Sequence, residues 1–268
     1  MKLELHTKPE VPLEAESITP AVINKLKAKE IEKLKIYHGN REVNIADFFS
    51  ILDNKSELLE VSGDMHKIKY LGANMKSGEM QIEGDVGPHL GSAMSGGFIK
   101  VNGNTGDWIA PEMSGGRIHI TGNSGHCVAC AYRGASKGTT GGEIIIEGNV
   151  KNELGHGMSN TTILVGGNTG DFTGVNMHSG TILVLGEAGI RTGAGMKRGT
   201  IVCKNNIEVL PTFSYDCIYN PVYLKLFFKY VKENTKFKIE EKFINGSFHR
   251  WSGDAIEMNR GELLIYSA

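Results

Sequence analysis

The sequence predicts an all-β protein, a right-handed parallel β-helix of 19-residue repeats with irregular or helical segments at both ends. Three observations predict it: 35 glycines among 268 residues, a fixed repeat length, and short stretches in which apolar and polar residues alternate. Average proteins contain about 7% glycine, so this excess needs a structural reason. A helical repeat protein would need about 30 or more residues in each repeat, which excludes that class.

The period is set by six methionines that recur every 19 residues, apart from one interval of 45. That interval equals two periods plus seven residues, so we expect a seven-residue insertion within CVACAYRGASKGTT. The methionines are Met75, Met94, Met113, Met158, Met177 and Met196. Their flexible side chains are expected to fill the core.

Each repeat opens with a short strand, as in SGGFIKVNGNTG and HSGTILVLGEAG. Alternation places two apolar side chains of each strand on one buried face. The predicted inward pairs are Met80/Ile82, Ile99/Val101, Ile118/Ile120, Ile144/Ile146, Ile163/Val165, Ile182/Val184 and Ile201/Cys203. An irregular earlier repeat, ELLEVSGDMHKIKYLGANM, precedes them.

Glycine falls into two columns at this period. The first ends each strand, and we expect it to occupy corners with positive φ, where a Cβ is costly. The second contains only Gly or Ala, as expected where successive backbones pack closely. The first column is Gly84, Gly103, Gly122, Gly148, Gly167 and Gly186; the second is Gly72, Gly91, Ala110, Ala129, Gly155, Gly174 and Gly193.

We expect three regions along the chain. Residues 1–55 form an N-terminal arm and cap with a helical segment at 17–35, residues 56–203 carry the repeats, and residues 204–268 form a C-terminal cap. The segment NPVYLKLFFKYVKEN in the last region predicts a helix with Asn220 as N-cap and Pro221 in its first turn. Such caps would cover the open strand edges that otherwise invite edge-to-edge association.

Charge and cysteine content limit the partners. Thirty acidic and 29 basic residues give a net charge of −1, which argues against nucleic acid and anionic membranes as partners. No apolar stretch is long enough for a membrane span, and the first residues do not read as a secretory signal. Four cysteines without such a signal favour reduced thiols and a cytoplasmic location.

Few residues are candidates for chemistry. The glycine turns lack the helix and Gly-Lys-Ser/Thr of a phosphate loop, the corner column carries too few aspartates for calcium repeats, and no paired carboxylates suit glycan cleavage. One group could hold a zinc-like ion if the insertion follows Cys130, because Cys127 would then stack beside Glu153 and Cys130 beside His156. The alternative is two packed thiols. We therefore predict no catalytic, cofactor or metal residue, with those four as the only metal candidates.

Three segments carry a family resemblance over nearly the whole chain: PEVPLEAESITP, GAGMKRGTIV and LPTFSYDCIYNPVYLKLF. Together they resemble the C-type subunit of formylmethanofuran dehydrogenase. The glycine repeat by itself is also similar to the C-terminal domain of the glutamate synthase large subunit, but the flanking segments favour the dehydrogenase subunit.

The resemblance implies a non-catalytic scaffold in a cytoplasmic, archaeal oxidoreductase complex that reduces carbon dioxide and fixes it onto methanofuran in methanogenesis. Molybdenum or tungsten pterin, iron–sulfur clusters and zinc would lie in the other subunits, which are the expected partners, with none on this chain. Two alternatives stay open: the corresponding subunit of the methylotroph formyltransferase/hydrolase complex, and a stand-alone β-helix protein that acts on or binds glycans.

Overall fold

The computed structural model describes residues 1–52 and 56–267. Its strands are β1 Lys2–Leu5, β2 Leu13–Glu14, β3 Lys35–His38, β4 Arg41–Asn44, β5 Phe49–Leu52, β6 Leu59–Ser62, β7 Ile68–Lys69, β8 Glu79–Glu83, β9 Ser95–Asn102, β10 Gly115–Ile120, β11 Glu143–Ile146, β12 Thr161–Val165, β13 Gly180–Val184, β14 Arg198–Cys203, β15 Ser214–Tyr219, β16 Ser247–Gly253 and β17 Arg260–Ser267. Its helices are α1 Pro20–Ile23, α2 Ala28–Ile31, α3 Val222–Asn234 and α4 Glu241–Ile244, with a 3-10 helix at Ile45–Asp47.

Thirteen strands form one sheet in the order β15-β16-β17-β14-β13-β12-β11-β10-β9-β8-β6-β1-β5. Neighbours pair in parallel from β1 through to β17, whereas β5 at one end and β15 and β16 at the other pair antiparallel. A second sheet of four strands, β4-β3-β2-β7, ties the N-terminal residues to the repeats. Both ends of the large sheet are therefore built from segments that lie outside the repeats.

This arrangement shows that the predicted right-handed parallel β-helix is wrong. The strands form a large, mostly parallel sheet extended by antiparallel strands, not a closed coil. Beyond the strands, successive repeats meet at isolated bridges such as Val86 with Thr105 and Val150 with Thr169. Left-handed residues within each turn, for example His89 and Ala93 at φ 64° and 52°, keep the chain from extending into a further strand there.

The predicted repeat register is confirmed. Ile99 pairs with Met80 on one side and with Ile118 on the other, at the 19-residue offset. Ile118 pairs with Ile144, which confirms the seven-residue insertion. Every predicted inward residue, and all six repeat methionines, are at most 1% exposed. The predicted boundary at residue 55 lies outside the described residues, and the three-region division stays a prediction.

In both glycine columns, the physical reason for the small residue differs from the one that the sequence predicted. Apart from Gly84, the strand-ending column has no positive φ; a Cβ on Gly122 would instead lie 2.5 Å from the carbonyl oxygen of Gly103 in the previous repeat. The other column does have positive φ, and a Cβ on Gly91, at φ +65°, would also lie 2.6 Å from Cδ1 of Ile118. Close backbone approach therefore selects glycine in the first column, and a left-handed backbone combined with close core side chains selects small residues in the second.

An asparagine ladder follows the first glycine column. The backbone N–H of Asn123, Asn149 and Asn168 each donates to Oδ1 of the equivalent asparagine one repeat earlier, at 2.8 Å. Asp85 begins this series, and the backbone N–H of Glu187 ends it. The ladder supplies acceptors for backbone groups that would otherwise face solvent at the turn.

Two apolar clusters lie on opposite faces of the large sheet. The main core contains the inward strand residues, the methionines and the N-terminal elements. A second cluster forms where α3 packs on the outer face of β11 to β14 and β17. Among the described residues, none of the helices combines the length and the apolar run that crossing a bilayer requires.

Candidate functional site

Each repeat places one large or polar side chain at the same left-handed position of its turn. These residues, which we call the corner column, have φ between 58° and 65°. They are Tyr70, His89, Trp108, Cys127, Glu153, Phe172 and Arg191. A left-handed conformation costs a residue with a Cβ about 1 kcal/mol or more, and such strain gathers at functional positions. The column is therefore the candidate functional site of the chain.

Backbone hydrogen bonds to the next repeat hold the column in place. The N–H of His89 donates to Asp107 O at 3.1 Å, that of Trp108 to His126 O at 2.8 Å, and that of Cys127 to Asn152 O at 3.0 Å. Because the whole stack fixes each turn, the strained conformation is maintained at each position. The side chains of successive repeats are thereby presented one above another.

Four aromatic rings stack at the N-terminal part of the column. Tyr70 and His89 have ring centroids 4.6 Å apart at an interplanar angle of 14°. Trp108 and Tyr132 are 5.3 Å apart at 21°, and His89 and Trp108 are 6.3 Å apart at 18°. Tyr132 comes from the insertion and joins the four-ring stack across the repeats. Offset stacking of this kind stabilises the arrangement beyond simple burial.

The stack contains one hydrogen-bonded histidine. Nδ1 of His89 lies 2.8 Å from the Tyr132 hydroxyl, which is also 3.2 Å from Ser92 Oγ. Burial, with a smaller contribution from the charge of Lys69, lowers the pKa of His89, and burial raises the pKa of Tyr132. His89 is therefore held as neutral imidazole, the form whose ring nitrogen can accept a hydrogen bond from the Tyr132 hydroxyl.

The four metal candidates contact one another in pairs, but their side chains do not converge on one point. The Cys130 thiol donates to the backbone oxygen of Glu153 at 2.8 Å, and His156 Nδ1 lies 3.1 Å from Glu153 Oε2. The neighbouring Cys130 side chain lowers the pKa of Cys127, whereas burial holds the pKa of Cys130 well above its usual range. Over residues 1–52 and 56–267, no group of three or more His, Cys, Asp or Glu side chains is placed to hold a metal ion. The predicted absence of a metal residue stays a prediction.

The C-terminal part of the column is cationic and aromatic. The guanidinium of Arg191 lies 5.1 Å from the centroid of the Phe172 ring, a cation–π contact. Tyr, Trp and Arg side chains are the residues most enriched at protein–protein hot spots. The corner column is therefore best suited to recognition of a partner surface.

Sequence reasoning missed the four-ring stack. The stack was not predicted, although the 19-residue period already aligns Tyr70, His89 and Trp108. Tyr132 could not have been placed, because it lies within the insertion, where the period gives no register. The predicted absence of catalytic residues stays a prediction.

Comparisons with known proteins agree with the repeat. The model of the GXGXG motif family matches residues 59–213. The C-type subunit of molybdenum-containing formylmethanofuran dehydrogenase 1 from Methanothermobacter marburgensis is 45% identical over 80 residues, or 29% of this chain and 20% of that relative. The C-type subunit of tungsten-containing formylmethanofuran dehydrogenase 2 from Methanothermobacter thermautotrophicus is 36% identical over 84 residues, 30% of this chain and 31% of that relative.

A solved structure matches along the full length. A chain of the formyltransferase/hydrolase complex from Methylorubrum extorquens, crystallised with methylofuran, superimposes with a TM-score of 0.92 at 29% identity. The match covers 100% of both chains, whereas the aligned part of this chain spans about a fifth of the first curated relative. The predicted resemblance to the C-type subunits of formylmethanofuran dehydrogenase is confirmed by these similarities.

Proposed function

The chain belongs to the GXGXG motif family, and from this we propose that it is the structural C-type subunit of a formylmethanofuran dehydrogenase complex. One observation carries the subunit role: the full-length likeness to a chain of a multi-subunit formyltransferase/hydrolase complex. The relatives named as C-type subunits of the dehydrogenase favour the redox complex over other assemblies. The activity is that of the complex, carbon dioxide reduction and fixation onto methanofuran.

In this proposal the chain positions its neighbours and has no active site of its own. Its large sheet provides a rigid body, and the corner column provides a surface rich in aromatic side chains for a partner. Molybdenum or tungsten pterin, iron–sulfur clusters and zinc belong to other subunits. The four cysteines are free, as suits the reducing, archaeal cytoplasm that we propose as its location.

A second candidate has its own support. The full-length structural match comes from a methylotroph formyltransferase/hydrolase complex, which would make this chain the corresponding subunit of an assembly without redox chemistry. The two candidates share a scaffold role for this chain and differ in the enzymes assembled around it.

The test is affinity purification of the tagged chain from its source organism, followed by identification of every co-purified chain. We expect pterin-binding and iron–sulfur subunits, together with methanofuran-dependent oxidoreductase activity in the eluate. Co-purification of formyltransferase and hydrolase subunits without that activity would support the second candidate. Recovery of the chain alone would contradict both.

A further inference from the structure

We propose that the outer edge of β15 binds an extended strand of another subunit, which would become a fourteenth strand of the large sheet. The identity of the partner as a subunit rests on the proposed function. The surface itself follows from the geometry of Ser214–Tyr219 and of the start of α3.

β15 is the terminal strand of the large sheet and pairs only on one side, with β16. Five of its six residues are exposed, including Tyr215 and Ile218 at 49% and 50%. In the part of the chain that the structure describes, the backbone groups of these six residues bond to no segment other than β16. An edge of this kind offers a row of N–H and C=O groups that an extended chain satisfies by adding a strand.

The other described sheet edges are better protected. β5 is four residues long and is contacted by α2. The four-stranded sheet ends in the charged pair Arg41 and Glu42 of β4 on one side and in the two-residue β7 on the other. Short edges, charges and covering helices are the usual means of preventing strand addition.

β15 lacks these protections. Its one charged residue, Asp216, sits at a bulge and is exposed, and its carboxylate faces β16, where Ser252 donates to it and Arg250 lies 3.7 Å away. Its charge is therefore engaged by the neighbouring strand β16 and does not repel an incoming strand. The six residues Ser-Tyr-Asp-Cys-Ile-Tyr also favour extended structure.

Exposed apolar side chains on β15 itself, Tyr215 and Ile218, and on the start of α3 define the chemistry of the partner. Val222 and Leu226, which are 73% and 72% exposed, lie one turn apart on α3, opposite its buried Leu224. They follow Ile218 closely in the chain. The fitting occupant is an extended segment of another subunit that carries apolar side chains.

The test uses the assembled complex with a photo-crosslinking residue at position 218, and in parallel at position 37. Ile218 and Tyr37 are both strand residues with 50% exposure, so Tyr37 is the matched control. We expect a crosslink from position 218 into a strand of another subunit and none from position 37. We also expect Ile218→Lys to reduce recovery of that subunit about tenfold, with Tyr37→Lys leaving it within about twofold.

The outcomes separate this inference from the proposed function. An intact complex with no crosslink from position 218, or with a crosslink to a second copy of this chain, would overturn the strand-addition site while leaving the subunit role. Recovery of the unmodified chain without any partner would overturn both. The crosslinking residue adds no charge at position 218, so this measurement decides even if Ile218→Lys destabilises the chain.

Discussion

The outer face of the large sheet divides into an uncovered half and a covered half. One ladder of paired residues crosses both halves. In β8, β9 and β10 it consists of Gln81, Lys100 and His119, which are polar. From β11 onward the same ladder continues as Ile145, Leu164, Leu183, Val202 and Leu264, all fully or almost fully buried.

Helix α3 accounts for the change. It crosses the strands with the Tyr223 hydroxyl donating to Glu262 of β17 at 3.1 Å and the Tyr230 hydroxyl donating to Glu143 of β11 at 2.8 Å. Its last residue, Asn234, accepts from Arg117 of β10 at 2.9 Å. The helix thus ends where the ladder becomes polar. Strands such as EIII and TILV contain three consecutive apolar residues, so they place apolar side chains on both faces of the sheet. Such strands indicate that a second layer packs on the outer face.

The largest expected effect comes from removing the side chain that anchors this layer. Phe228 is fully buried among Phe243 and Phe248, with ring centroids 4.8 Å and 6.2 Å away. Phe228→Ala should lower the free energy of unfolding by about 3–5 kcal/mol, measured by urea denaturation. The control Leu226→Ala on the exposed face of the same helix should change it by less than about 0.5 kcal/mol.

A smaller loss of unfolding free energy is expected when one residue of the ladder is shortened, and the two halves can be compared in this way. Leu183 is fully buried in the covered half, and Leu183→Ala should cost about 3 kcal/mol because it leaves a cavity beneath α3. Lys100→Ala, in the same ladder of the uncovered half, should change the unfolding free energy by less than about 0.5 kcal/mol. Equal losses at both positions would show that the outer face is covered throughout.

A still smaller effect is expected at the boundary between the halves. Tyr230→Phe removes the hydroxyl that donates to Glu143, a carboxylate that keeps its 2.8 Å contact with Arg117 Nε. The loss should be about 1 kcal/mol in the same denaturation experiment. A loss as large as that of Leu183→Ala would mean that the polar contacts, more than the apolar layer, position the helix.

The smallest expected effect is the change of the unfolding free energy with pH, to which His119 of the uncovered half contributes. Burial lowers the pKa of His119 from its usual 6.5, although the hydrogen bond to Glu147 at 2.9 Å opposes this. Below pH 6.5 the unfolded chain therefore binds more protons than the folded one, and the unfolding free energy should fall as pH decreases through that value. His89 contributes in the same direction.

The matched variant for this effect is His119→Gln. Its unfolding free energy should fall less than that of the unmodified chain between about pH 8 and about pH 5.5, since one of the two imidazoles whose pKa is lowered by burial is gone. An identical pH dependence in the two proteins would remove His119 as a source of it.

Much of the sheet could be predicted from the sequence, because the 19-residue period fixes which residues of successive strands pair. The 19-residue offset gave the pairing of Ile99 with Ile118, and the insertion gave that of Ile118 with Ile144. The C-terminal helix was also predicted, but its N-cap is Pro221, while the Asn220 side chain donates to Asn245 O. The segment 17–35, which was predicted to be helical, contains only the two four-residue helices α1 and α2 in the structure. Its last residue is the first residue of β3.

The remaining features depend on contacts that no period encodes. The antiparallel strands β15 and β16 extend the sheet where a cap was expected, because their pairing involves residues outside the repeats. In the candidate site, the alignment of Cys127 with Glu153 followed from the offset, whereas the position of Tyr132 depended on the path of the insertion. The two glycine columns were visible in the sequence, but the backbone angles of the structure were needed to explain why small residues occupy them.

Native mass spectrometry of the complex purified from the source organism tests the central claim most directly, that this chain works as an assembled subunit. We expect a mass far above the 29.1 kDa of the chain, with this chain released together with several larger ones when the complex is dissociated in the instrument. A single species at 29.1 kDa from gently prepared material would contradict it.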